Sequence, residues 1–401
     1  MANLLFTIGL GLCVILGLIQ SDGIVNCQSI REHIRRDSTQ TPLAAKNLFI
    51  EFESLARCRD VQTRSQFYKT NSSIRRLYDC VTSDNQNKKH ILVTGGAGFV
   101  GSHLVDSLML DGHNVIVCDN FYTGRKSNIE HWIGHANFKL IEQDVADELD
   151  IGKTNLDQIY HLAAPASPVH YMADPMRTIN TIVTGTMNIL KIARNTNSRV
   201  VLASTSEIYG NPLVHPQHED YWGNTNPIGP RSCYDESKRL SETLAITNRD
   251  QYNVSVGVAR IFNTYGPRMS RNDGRVISNF VTQAIQNKPI TVYGTGNQTR
   301  SFQYISDLVR GLRALMDSKV TSPVNLGNPE EITIMALANE VKNVILRSSS
   351  KLVNDKLPID DPQRRRPDIR KARELLSWDP LVSLKAGIER TVDYFIQDLK
   401  G

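Results

Sequence analysis

The chain has 401 residues, 40% of them hydrophobic and 22% charged, with 25 Gly and 16 Pro in no G-X-Y period. That is enough apolar material for a sizeable core, and it excludes wholesale disorder and collagen-like or low-complexity architecture. The 46 Lys+Arg against 41 Asp+Glu leave a net charge of +5, but 12 basic and 8 acidic residues lie between Gln20 and Lys89, and His90 to Gly401 carries 34 against 33; a basic face for nucleic acid therefore finds little support.

Leu4 to Ile19 is an uncharged run of sixteen residues, interrupted only by Thr7, Gly9, Gly11 and Gly17. At about 1.5 Å per residue it falls a little short of the roughly 30 Å hydrocarbon core of a bilayer. We read residues 1–20 as a retained signal anchor, with a cleaved secretory segment ending near Val25 and Cys27 as the alternative. No Lys or Arg precedes the run and Arg31, Arg35 and Arg36 follow it, so the distribution of positive charge does not favour a lumenal C-terminus. Residues 21–88 are polar, basic and short of strand signals; Leu48, Phe52, Leu55 and Ala56 recur at helical spacing, giving a stem with one amphipathic helix. Sequons at Asn71, Asn253 and Asn297 are compatible with a lumenal glycoprotein. Cysteines at 13, 27, 58, 80, 118 and 233 form no C-x-x-C pair, so no zinc or thioredoxin-type site is expected, and Cys118 and Cys233 read as buried free thiols.

From residue 89 the pattern changes. His90 to Thr94 is a strand signal that runs into Gly95-Gly96-Ala97-Gly98-Phe99-Val100-Gly101, and a helical stripe of Phe99, Val100, Leu104, Val105, Leu108 and Met109 follows until Asp111-Gly112. Strand, glycine turn and helix in this order make a phosphate cradle, because glycines let backbone N–H groups and the helix N-terminus approach a pyrophosphate. A second strand, Asn114 to Cys118, ends in Asp119, 24 residues after Gly95, where a carboxylate accepts both ribose hydroxyls and repels a 2′-phosphate; NAD is favoured over NADP. Further strands at Phe138–Ile141, Gln158–Ala164 and Arg199–Ala203 alternate with helical stretches, so the fold class is α/β, a doubly wound parallel (Rossmann) sheet. Beyond the last strand, Thr205 and Glu207 precede Tyr234-Asp235-Glu236-Ser237-Lys238. The four-residue spacing puts Tyr234 and Lys238 one helical turn apart, and an ammonium there is expected to lower the phenol pKa and make Tyr234 a general base.

These residues resemble the extended short-chain dehydrogenase/reductase family and, within it, the UDP-glucuronate decarboxylases. The likeness covers roughly residues 89–400 and is densest at Ser204–Gly210, Asp220–Gly223, Asn226–Arg231, Arg260–Arg268, Asn272–Val276 and Arg365–Ile369. It implies a closed redox cycle on UDP-glucuronate in which NAD is regenerated, yielding UDP-xylose and carbon dioxide, with Tyr234, Lys238, Thr205, Glu207 and Arg365 as catalytic residues. Glu207 separates decarboxylases from epimerases, which resemble this chain but carry a small or hydroxyl residue there. The resemblance assigns cofactor contacts to Gly95, Gly98, Phe99, Val100, Gly101, Asp119, Asn120, Phe121, Thr123, Gly124, Arg125, Asp144, Val145, Leu162, Ala164, Thr181, Tyr234, Lys238, Thr264 and Arg275. It assigns substrate contacts to Asn188, Arg194, Asn263, Arg275, Arg300 and Arg365, and no metal. It further implies an NAD-binding part mainly over 89–265, a smaller substrate lobe mainly over 266–401 with pieces of 185–225, a homodimer, and a single-pass type II protein of the Golgi membrane with a lumenal catalytic domain. One segment departs from the pattern: Ile182 stands where relatives carry asparagine and Asn180 where a lysine is expected to meet the substrate, on a helix expected near the nicotinamide and sugar. A UDP-sugar 4-epimerase, a 4,6-dehydratase and a catalytically weakened nucleotide-sugar binder remain the alternatives.

Overall fold

The computed structural model describes residues 87–152, 154–345, 348–356 and 364–399; the expected anchor and the stem up to residue 86 lie outside the described residues. The opening strand β1 (His90–Thr94) leads through the glycine turn into α1 (Phe99–Leu110), β2 (Asn114–Asp119) and β3 (Phe138–Glu142). β4 (Gln158–His161), α2 (Pro168–Ala173), α3 (Pro175–Thr196), β5 (Arg199–Thr205), α4 (Ser232–Tyr252) and β6 (Val256–Ile261) complete the first half. Local chemistry sets these ends. Asp174 caps α3, its Oδ1 accepting from the Arg177 N–H at 3.0 Å, Pro175 occupies the first turn, and Asn197 closes the helix in the left-handed region at φ 56°.

The second half contributes β7 (Thr264–Tyr265), α5 (Val276–Ile285), β8 (Ile290–Tyr293), β9 (Thr299–Ser301), β10 (Gln303–Tyr304), α6 (Ile305–Asp317) and β11 (Pro323–Leu326). β12 (Glu331–Thr333), α7 (Ile334–Val344), β13 (Leu352–Asp355), β14 (Arg364–Arg365), α8 (Arg370–Leu376) and α9 (Leu384–Asp398) follow. Seven strands form one parallel sheet in the order β11-β6-β5-β4-β1-β2-β3. Both faces of such a sheet are covered, hence the continuous apolar run Ile91-Leu92-Val93, none of which is solvent-exposed.

The sheet does not respect a boundary at residue 265. β11 pairs with β6 in the register Val324↔Ala259 and Leu326↔Ile261, so residues 323–326 belong to the Rossmann sheet although the sequence places them in the substrate lobe. Within the span 185–225, pieces of which the resemblance assigns to that lobe, residues 185–196 form the C-terminal half of α3, whose Ile189, Leu190 and Ala193 pack in the sheet's main core. What remains of the lobe is built on the pair β8/β13 and the small sheet β12-β9-β14, in which Arg365 is the register partner of Arg300.

Candidate active site

The glycine turn is as tight as its sequence requires. Gly95 has φ +70°, and a Cβ on Gly101 would lie 2.1 Å from the Gly95 carbonyl oxygen, so side chains are excluded where backbone must approach a ligand. At the end of β2, Asp119 is pinned to this turn: its two carboxylate oxygens accept from the backbone N–H groups of Ala97 at 2.9 Å and Phe121 at 2.8 Å. Burial pushes the Asp119 carboxyl up, and these two N–H groups oppose the shift. A Cβ on Gly124 would meet the same carboxylate at 2.9 Å. Around turn and carboxylate one cleft gathers Gly95, Gly98, Phe99, Val100, Gly101, Asp119, Asn120, Thr123, Arg125, Asp144, Val145, Leu162, Ala164, Thr181 and Arg275. A glycine cradle that excludes side chains beside a ribose-height carboxylate fits NAD.

An adjoining cavity of about 600 Å³ is lined by Thr205, Glu207, Tyr234, Lys238, Asn263, Thr264, Arg300 and Arg365, and Arg275 borders both spaces. Thr205 is the last residue of β5, where a parallel sheet presents its strand ends, and Tyr234 and Lys238 project from the first turns of α4. All three are buried. Lys238 Nζ donates to the Ala203 carbonyl at 2.7 Å and lies 5.9 Å from the centre of the Tyr234 ring. Burial pushes the Lys238 ammonium down to about 8, with Glu242 opposing. Burial also pushes the Tyr234 phenol well above its ordinary value; a hydrogen bond from Thr205 pulls it back, Glu207 and Asp235 push it further up, and Arg275 draws it down. The expected lowering by Lys238 is thus outweighed in the protein alone, because burial disfavours both the phenolate and the ammonium and Lys238 spends a hydrogen bond on the Ala203 carbonyl.

Glu207 follows Thr205 in the short turn after β5, and its carboxylate is held between two guanidinium groups: Arg365 on one oxygen and Arg231 on the other. Arg365 also donates to the Gly210 carbonyl at 3.1 Å. Burial pushes the Glu207 carboxyl up, but Arg231, Arg365 and Arg300 outweigh it and hold the carboxyl well below the usual range. The side-by-side Arg300 and Arg365 of β9 and β14 would repel as bare neighbours; Glu207 is the counter-charge that makes the juxtaposition tolerable. Asp235, one turn after Arg231, feels the opposite balance, its carboxyl pushed up by burial and by Glu207. Arg275 is fixed by a two-point contact with Asp273.

Two assigned substrate contacts are elsewhere. Asn188 turns away from the cavity and donates to the carbonyls of Val145, Ala146 and Asp147 at 3.0 Å each, tying α3 to the loop after β3. Arg194 lies over the Tyr252 ring at 4.8 Å, on the flank where α3 meets the end of α4. The two departures on α3 also separate. Ile182 is buried against Tyr171, Cys233 and Tyr234, whereas Asn180 is exposed, accepts from Thr184 Oγ1 at 2.7 Å and is not among the residues lining the cavity. Cys118 and Cys233 are buried free thiols, as expected. Among residues the sequence left unassigned, Arg231 clamps Glu207, and Tyr171 lines the cavity with its ring stacked on Tyr234 at 4.8 Å. Arg231 stands inside a quoted motif, three residues before the tyrosine; nothing in the sequence singles out Tyr171.

A family model described as GDP-mannose 4,6-dehydratase matches residues 92–391. UDP-glucuronic acid decarboxylase 1 of Danio rerio is 58% identical over 316 residues, 79% of this chain and 74% of that protein. UDP-glucuronic acid decarboxylase 4 of Arabidopsis thaliana is 55% identical over 311 residues, 78% and 69% respectively. Among solved structures, the UDP-glucuronic acid 4-epimerase from Bacillus cereus in complex with UDP-glucuronic acid and NAD is 28% identical, with a TM-score of 0.70 over 77% of this chain and 99% of that one. The Thermotoga maritima UDP-glucose 4-epimerase with UDP-glucose, also 28% identical, gives 0.71 over the same shares. With its glycine turn, its Tyr234/Lys238 helix and its Glu207 all inside the matched span, this chain belongs to the GDP-mannose 4,6-dehydratase family and groups there with the UDP-glucuronic acid decarboxylases.

Proposed function

We propose that this protein is an NAD-dependent UDP-glucuronate decarboxylase, converting UDP-glucuronate to UDP-xylose and carbon dioxide through a 4-keto sugar. The observation that carries the reading is the half-buried Glu207, clamped by Arg231 and Arg365 at the mouth of the strand that also presents Thr205 to Tyr234. When bound on Gly95, Gly101 and Asp119, NAD supplies the acceptor and later the donor of the C4 hydride, and a positive charge that favours the Tyr234 phenolate. Tyr234 takes the proton of the sugar 4-hydroxyl as the C4 hydride departs, with Thr205 orienting the phenol and Lys238 stabilising its anion. The C4 carbonyl then lies β to the carboxylate. The C5–C6 bond breaks, its electron pair enters the C4–C5 enolate, and carbon dioxide leaves. Arg365 binds the departing carboxylate or supplies the proton to C5, and Glu207 keeps that guanidinium aimed. Tyr234 returns its proton to the C4 oxygen as the hydride comes back. Arg275, held by Asp273, and Arg300 bring guanidinium charge to the cavity for the diphosphate oxygens, and Asn263 lines the same cavity as a partner for the sugar.

Purified full chain given UDP-glucuronate and NAD is expected to release carbon dioxide and form UDP-xylose with no build-up of NADH; a six-carbon product, as from an epimerase or dehydratase, overturns the reading. We further propose that residues 4–19 anchor the protein in the Golgi membrane with the catalytic part lumenal, which the uncharged run and the sequons support. A homodimer through α3 and α4 is part of the same proposal, supported by Met187 and Leu240, which are exposed on those helices.

A further inference from the structure

Three residues on one face of α4 hold three successive residues of β5. Tyr234, Lys238 and Glu242 are spaced four apart, and they meet Thr205, the Ala203 carbonyl and the Ser204 hydroxyl respectively. Ser204 Oγ donates to Glu242 Oε1 at 2.5 Å. Behind this contact stands Arg260 of β6, the register partner of Ser204, which donates to Glu242 Oε1 at 3.0 Å and Oε2 at 2.8 Å. Arg260 in turn donates to the Tyr209 hydroxyl at 3.0 Å, and Tyr209 to Asn325 Oδ1 at 2.8 Å. Glu242 is 9% exposed and touches neither cavity. A buried ion pair is a weak source of stability compared with apolar packing of the same volume, so its position beside Ser204 calls for another account.

We propose that Glu242 is a positioning residue for the proton-transfer centre: by gripping Ser204 it sets the end of β5 in register with α4, so that Thr205 and Lys238 meet Tyr234 as the reaction needs. Its charge acts in the same sense. Lys238 is faced by Tyr234 and Glu242 from its own helix and by His161 from β4, whose imidazole burial and Lys238 keep neutral by lowering it to about 3. Glu242, itself paired with Arg260 of β6, is the anion that favours the ammonium.

The test is the pH dependence of turnover by the NAD-loaded full chain with UDP-glucuronate. In Glu242→Gln the isosteric amide loses the charge: kcat is expected to fall about tenfold at neutral pH with KM within about twofold, and the alkaline limb to move to lower pH as Lys238 deprotonates earlier. A merely structural role would change the amount of folded protein and leave the limb in place. Where the uncompensated Arg260 prevents Glu242→Gln from folding, Ser204→Ala keeps the ion pair and removes only the grip on the strand; a severalfold fall in kcat with unchanged KM is expected. Folded variants with wild-type kcat and an unmoved limb overturn the role of Glu242. The inference rests on the decarboxylase reading, and the two fail differently: wild-type protein that makes no UDP-xylose overturns both, whereas wild-type turnover matched by the variants overturns this role alone.

Discussion

Glu207 and Tyr234 divide the chemistry at the scale of single residues. Tyr234 is the phenol bonded to Thr205, so Tyr234→Phe is expected to slow oxidation by about 10²–10⁴-fold. Glu207→Gln removes the counter-charge of Arg231, Arg300 and Arg365 but leaves the phenol, its threonine and its lysine in place. Oxidation should survive there while carbon dioxide release falls by about 10²-fold, and the 4-keto sugar should be detectable by mass spectrometry after hydride trapping. Parallel loss of both steps would contradict this division. The Tyr234/Lys238 pair was legible because a helix converts sequence spacing directly into proximity. Arg231 was not, since its partner lies 24 residues away across a turn and a loop, and only folding joins them. Asn188 misled for a related reason: an amide on a helix meets either ligand or backbone according to the helix's rotation, and here it faces the loop carbonyls of 145–147.

Between elements, one buried cluster ties α1 to the segment between β6 and α5 that carries Asn263, Thr264 and Arg275. Asp106 of α1 accepts from His131 Nε2 and Trp132 Nε1 at 2.7 Å each and pairs with Arg268 at 2.6 Å, a residue held in the left-handed region at φ 65°. Burial disfavours the ionised carboxyl, yet Arg268 and His131 overcome it and hold Asp106 far below its ordinary value. A carboxyl lowered in the folded state stabilises above its unfolded pKa of about 4 and gives that stability up as the pH falls below it. Asp106→Asn should therefore lower unfolding free energy by about 3–5 kcal/mol at pH 7, measured by denaturant melts, and the gap from wild type should narrow towards acid. A pH-independent gap would contradict the assignment. The strands and α1 were readable from apolar runs and the glycine turn. β11 was not, because four residues far along the chain rejoin the sheet beside β6, a pairing that local pattern does not announce.

Across the whole molecule, the continuous seven-stranded sheet brings the NAD cradle at β1 and β2 and the reacting residues after β5 to the same strand ends, while the β12-β9-β14 sheet delivers Arg300 and Arg365 from the other side. The nearly balanced charge of residues 90–401 is thus compatible with a cationic pocket, because a few guanidinium groups are concentrated there and acidic residues elsewhere in the chain offset them. A site that oxidises and then reduces the same carbon with one bound cofactor makes a labelling prediction that no single-step enzyme shares. UDP-glucuronate carrying deuterium at C4, turned over by the full chain with unlabelled NAD, should give UDP-xylose that retains the deuterium at C4 and takes one solvent proton at C5. Loss of the C4 label, or its accumulation in free NADH, would contradict the closed redox cycle.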